Sequence, residues 1–391
     1  IAPESLRAIN NILPKEKFLT RVELGKYYGD KANNTLRVIF NEELLHPFQP
    51  YNKEATANQI NYFEKVFGFP IKIASSNQIW QFKELFTLIN MIASLILLIP
   101  ISRTLLKLKF FKLIVKPIPD ALPVQTMEGK LIFWFIFFLS ASIACITFIP
   151  MVDIAKVLFS EAANRELTWF FPQRMNNSVM LWAALNGSIG LIIFFISFYL
   201  FGRHHGVKKD SWGIKISKNE LFRTIILGII IFSIYYIFLN LIYLLFHVDY
   251  RFWFIGVRIF QPEMLIVLMM YFPMFFIFFF SNSLRVNGSM RFKGQKEWLS
   301  KLIAGFANSF GLMLIIIIQY VTYTKTGTVF WTTNWLSVNL LFGIVPMMFI
   351  LPYFNRLFFQ MTGRVYLGPI VTCLIFIMIL STNTVIYLPI K

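Results

Sequence analysis

From residue 85 onward the chain is organised by eight long apolar stretches, at 85–102, 131–151, 178–202, 224–247, 264–281, 302–323, 335–353 and 366–388. Each is close to the roughly 20 residues of helix that a hydrocarbon core about 30 Å thick requires. Within lipid every backbone N–H and C=O must find its partner inside the protein, so runs of this length predict spanning helices. None of the stretches carries a full charge near its centre. The pattern predicts an all-α polytopic membrane bundle of about eight transmembrane helices over 85–391, preceded by a small extracytoplasmic α/β segment over 1–84.

The polar head has a different rhythm. Pro3 and Glu4 suit the first turn of a helix whose apolar face is Leu6, Ile9 and Leu13. Two strand-like runs follow, Phe18 to Leu24 and Thr35 to Phe40, separated by a loop containing Gly29-Asp30. An irregular stretch, Asn41 to Phe48, carries His46. Asn52 then stands where it can cap a helix from about Lys53 to Phe67, with Ala57, Ile60, Phe63 and Phe67 on one face and Gly68 at its stop.

Charge assigns sides to the membrane. The connections 103–130, 203–223, 282–301 and 354–365 hold six, six, five and two basic residues, whereas the alternate loops and the tail together hold seven. The positive-inside rule makes the first set cytoplasmic, and an even number of spans then leaves the head and the tail outside. The net charge of +18 is therefore concentrated on cytoplasmic loops, where an anionic inner leaflet accounts for it and nucleic acid is a poor partner. Apolar residues at 57 %, including 45 Phe, exceed what a soluble domain needs for its core. The two cysteines, Cys145 and Cys373, both fall inside predicted spans, so no disulfide framework is expected in the head.

A strand, a loop bearing His46 and a closing amphipathic helix together resemble the C-terminal end of an α/β-hydrolase domain. In that family the catalytic residues follow the order Ser, Asp or Glu, His, with the histidine on the loop after the last strand. Head plus spans looks like bacterial membrane proteins in which a hydrolase domain is fused to a multi-span region. The resemblance implies that His46 is the catalytic histidine, acting as general base toward a serine and then as general acid toward the leaving group. No Gly-x-Ser-x-Gly elbow precedes it, so the nucleophile is expected on an upstream hydrolase segment or partner chain, and the acid there too unless Asp30 serves. Read without the resemblance, His46 is an ordinary loop histidine beside Pro47, and Glu42 and Glu43 are solvated carboxylates.

The remaining chemistry is sparse. His204-His205 lies in a basic loop without a Cys or carboxylate at ligand spacing, so no metal site and no cofactor is expected. Asn90, Asn186, Asn240, Asn308, Gln319, Asn339 and Asn383 are expected to bond between helices, with Thr382 among the other polar groups inside the spans. Ala183 with Gly187, Gly305 with Ser309, and Ala307 with Gly311 mark close helix contacts, and Pro273 and Pro346 fall inside spans. Residues 152–168 are expected to form an interfacial amphipathic helix with Ile154, Val157, Leu158 and Ala162 on its apolar face. The expected function is the membrane portion of an exported serine-hydrolase-like enzyme in a bacterial plasma membrane, acting on an amphiphilic ester or acyl substrate at the outer leaflet. Two other readings stay open: a transporter or channel subunit with a docking head, and a structural subunit of a membrane assembly.

Overall fold

A computed structural model describes residues 3–70, 73–253 and 255–390. The chain divides into two units, Ile1–Leu85 and Phe86–Lys391.

In the first unit, helix α1 (Pro3–Asn10) buries Ile9 completely. The expected strand over Phe18 to Leu24 is irregular instead, because an amide side chain occupies its backbone. Asn10 Nδ2 donates to Leu19 O at 3.0 Å and Asn10 Oδ1 accepts from Leu19 N at 2.9 Å, the two bonds that a neighbouring strand would otherwise supply. The sheet that remains is a ribbon of two short antiparallel strands, β1 (Tyr27–Tyr28) and β2 (Arg37–Val38), with Tyr27 opposite Val38. Its turn needs Gly29 at φ +78, where an added Cβ would sit 2.3 Å from Thr35 O. Helix α2 (Lys53–Phe67) begins and ends where the cap residues direct. Asn52 Oδ1 accepts from Ala55 N at 2.9 Å, and Gly68, at φ 72, donates its N–H to Glu64 O.

Among the described residues, seven helices are long and apolar enough to cross a bilayer: α3 (Trp80–Leu106), α5 (Met127–Leu158), α7 (Arg174–Ser197, extended by a π turn to Gly202), α8 (Lys218–Phe246), α9 (Glu263–Gly288), α10 (Glu297–Thr326), and α11 with α12 (Trp335–Asn339 and Leu341–Thr362). Short helices α4 (Lys109–Lys112) and α6 (Ser160–Ala163) lie in the connections, and β3 (Tyr250–Phe252) pairs with β4 (Ile255–Val257) after α8. The chain is a multi-pass membrane protein, and its apolar helices call for a lipid bilayer.

The eighth expected span differs. Only α13 (Leu367–Thr382) is helical in 366–388, and its 16 residues reach about 24 Å. Every residue of α13 but Ile379 is buried, enclosed by α8, α9 and α12. A helix sheathed in protein need not match the thickness of the hydrocarbon, because its neighbours supply both apolar contact and acceptors. After Thr382 the chain unwinds, and Asn383 Nδ2 donates to Gly256 O at 2.7 Å while Tyr387 N bonds Pro172 O at 2.8 Å. Among the described residues the bundle thus has seven long helices and a short apolar one enclosed among them, rather than eight equivalent spans.

Small residues set the closest approaches. A Cβ at Gly187 would lie 2.6 Å from Phe278 N, and one at Gly311 would lie 2.4 Å from Ala141 O, so α7 meets α9 and α10 meets α5 backbone to backbone. The run 152–168 is not a separate interfacial helix. Its first part continues α5, with Val152 and Ala155 buried and Ile154, Val157 and Leu158 on the outer surface of the helix, whereas Ala162 is buried in α6.

Candidate functional site

In the head, His46 is exposed and opens a 3-10 turn, His46–Tyr51, that leads directly into the Asn52 cap of α2. The loop before it turns through Glu43, whose φ of 54 places a side-chain-bearing residue in the left-handed region, and Glu43 N bonds Asn41 Oδ1 at 3.1 Å. Glu42 Oε1 accepts from Asn58 Nδ2 at 2.9 Å, tying the loop to α2. The Asp30 carboxylate is occupied by its own turn, accepting from Ala32 N at 3.2 Å and Asn33 Nδ2 at 3.0 Å. Glu42 and Asp30 therefore do structural work locally.

The bundle carries more polar organisation than its sequence announces. Asn282 on α9 donates to Asn308 Oδ1 on α10 at 2.7 Å and accepts from Asn355 Nδ2 on α12 at 2.7 Å, while Asn308 Nδ2 donates to Met348 O at 2.7 Å. This amide chain pins three helices, at roughly 0.5–2 kcal/mol per bond. Asn186 Nδ2 reaches Thr147 Oγ1 at 3.0 Å between α7 and α5, and Gln319 Oε1 accepts from Trp331 N at 2.9 Å. Asn240, by contrast, bonds Tyr236 O on its own helix.

Several arginines at the end of the bundle that carries the basic loops are committed. Arg291 donates to Pro119 O, to Asp120 O at 2.9 Å and to Ser211 O at 2.9 Å, clamping three connections together. Burial lowers its guanidinium to about 10, against which these carbonyl acceptors hold the cation. Arg356 Nη1 bonds Asn287 Oδ1 at 3.1 Å, and Arg364 Nε lies 2.8 Å from Glu220 Oε1.

Arg285 is different. It sits in the last turn of α9, and among the described residues no acceptor meets its guanidinium. It lines a half-enclosed, mostly apolar cavity of about 330 Å³ between α5, α7 and α9. His204 and His205, at the end of α7's π turn, line the same cavity, and His205 Nε2 lies 3.8 Å from Glu128 Oε2 without a hydrogen bond. Among the described residues no group of three or more His, Cys, Asp or Glu is arranged to hold a metal ion.

Sequence reasoning ended the fifth span at residue 281 and assigned Arg285 to a loop. The available signal was Gly288, a better helix stop than the first polar residue, with Ser281, Asn282, Ser283 and Asn287 turned toward neighbouring helices. Compared with protein-family models, curated proteins and solved structures, the chain has no match.

Proposed function

We propose that this chain is the membrane portion and C-terminal part of an exported serine-hydrolase-like enzyme of a bacterial plasma membrane, acting on an amphiphilic ester or acyl substrate at the outer leaflet. In this reading both ends of the chain lie outside, and His46 relays protons between a serine on an upstream segment or partner chain and the leaving group. The observation that carries the reading is the position of His46. It is exposed, it follows β2 across a loop, and it stands immediately before a helix capped by Asn52, the order in which an α/β hydrolase presents its histidine. The ribbon of two-residue strands supports it less, because a hydrolase sheet is larger and parallel.

The test is turnover of short- and medium-chain acyl esters by the full-length protein, with His46→Ala expected to lower kcat by at least ~10³-fold. Turnover unchanged in His46→Ala rejects the assignment. The transporter or channel reading draws on one observation, the cavity at Arg285, since ionisable groups within a bundle mark pathways. Flux of an anionic solute into liposomes without ester hydrolysis would favour it.

A further inference from the structure

A guanidinium in a largely apolar cavity without a protein acceptor is costly, and proteins normally supply the missing partner. Arg291, Arg356 and Arg364, at the same end of the bundle, all have theirs. Arg285 has none among the described residues. Gly190, which with Arg285 lines a small crevice of about 30 Å³ distinct from this cavity, leaves room beside the guanidinium, since an added Cβ there would come within 2.7 Å of Ser281 Oγ and 3.6 Å of Arg285 Nη1. The cavity's serines cannot substitute as donors, because Ser197 Oγ and Ser289 Oγ already donate to Phe194 O and Arg285 O at 2.9 and 2.8 Å.

We propose that this cavity binds a single-chain anionic amphiphile, with its oxyanion on the guanidinium of Arg285 and its chain along Ile136, Phe137, Ile193 and Phe194. Arginine's planar fork pairs bidentately with a carboxylate or phosphate, and a low-dielectric wall strengthens that pair. The volume of about 330 Å³ falls at the small end of the 300–1,000 Å³ usual for ligand pockets and suits one chain better than a bulky polar solute. Its predominantly apolar lining excludes a free, hydrated anion as the preferred occupant. The shared chemistry is an oxyanion on an apolar chain, whether a fatty acid or an anionic lipid of the surrounding leaflet supplies it. The inference is independent of the hydrolase reading, since it concerns the bundle alone.

The experiment uses the full chain in phosphatidylcholine nanodiscs and measures binding of oleate, of oleyl alcohol, and of oleate in competition with phosphatidylglycerol or inorganic phosphate. One oleate per chain is expected, bound at least ~10-fold more tightly than oleyl alcohol, with a loss of ~10- to 100-fold in Arg285→Gln and a smaller loss in Arg285→Lys. Displacement of oleate by phosphatidylglycerol identifies the leaflet lipid as the source, and its failure to displace identifies the free fatty acid. Equal binding of oleyl alcohol, displacement by inorganic phosphate at concentrations equal to oleate, or unchanged binding in a folded Arg285→Gln overturns the proposal. If Arg285→Gln does not fold, the ratio of oleate to oleyl alcohol on the unaltered chain decides.

Discussion

Nε of Arg356 lies 3.1 Å from Oε1 of Glu297, joining the buried C-terminal half of α12 to the first turn of α10. The two partners are unequal: the arginine side chain is 2 % exposed and the glutamate 42 %. The contact is at ion-pair distance but is not aligned as a hydrogen bond, so its value is Coulombic, and Gln360 Nε2, 3.2 Å from the same oxygen, helps hold the carboxylate. Glu297→Gln removes the charge and leaves a buried cation facing a neutral amide. Breaking a fully buried pair costs about 3–5 kcal/mol, and the exposure of Glu297 reduces that here to roughly 1–3 kcal/mol. Thermal unfolding in detergent should show the loss, and the double variant Glu297→Gln/Arg356→Met should recover part of it. A double variant less stable than the single one would contradict this account.

At Gly187 the helix contact leaves no room for even one methyl. Its Cβ would approach Phe278 N and Cα at 2.6 Å, and backbone cannot rotate away as a side chain can. Gly187→Ala is expected to destabilise the bundle by about 1–3 kcal/mol through separation of α7 and α9. Gly327→Asn is the control, since Gly327 has φ +70 in open space and asparagine tolerates that conformation, so its effect should stay within about 0.5 kcal/mol. Equal melting temperatures for the two variants would refute the close contact.

The cap of α2 offers a local test in the head. Asn52→Ala removes the bond to Ala55 N and should cost about 1 kcal/mol. Amide hydrogen exchange over Lys53–Phe67 should accelerate about fivefold, most strongly in the first turn. Unaltered exchange there would mean that packing alone sets the helix start.

Tyr250, in the β3–β4 hairpin, predicts an alkaline dependence. Burial pushes its phenol up from 10.0 to about 12, because the ionised form would lose its hydration. The folded protein therefore keeps a proton that the unfolded chain releases between about pH 10 and 12. The stability from the neutral phenol is fully present below pH 10 and is lost as pH rises through 12. Tyr250→Phe should flatten the fall in melting temperature across that window. A fall of the same slope in Tyr250→Phe would assign the effect to other groups.

The legible parts of this chain are those governed by neighbours in sequence or by the solvent. Asn52 and Gly68 bound α2 because a cap bond and a positive φ are local events, and the pairs Ala183/Gly187 and Ala307/Gly311 mark helix contacts because residues four apart share a face. Phe18 to Leu24 has strand periodicity yet stays irregular, since the Asn10 side chain takes the backbone of Leu19 and periodicity carries no record of a rival acceptor. His46 could be found as a loop histidine, but nothing near it in the sequence specifies a partner. Arg285 was hidden by the same rule that revealed the spans, because a basic residue beyond an apolar run reads as a loop charge.

Apolar length and loop charge by themselves determined that this is a multi-pass helical membrane protein, because hydrocarbon leaves a spanning backbone few solutions. Tertiary structure alone decided that 366–388 yields a 16-residue helix sheathed in protein, since neighbouring helices rather than lipid set its length. It also decided that Arg291 finds acceptors while, among the described residues, Arg285 finds none. Arg285 and Arg291 are alike in the sequence, and the difference arises because Pro119, Asp120 and Ser211 bring their carbonyls to one of them and a cavity faces the other.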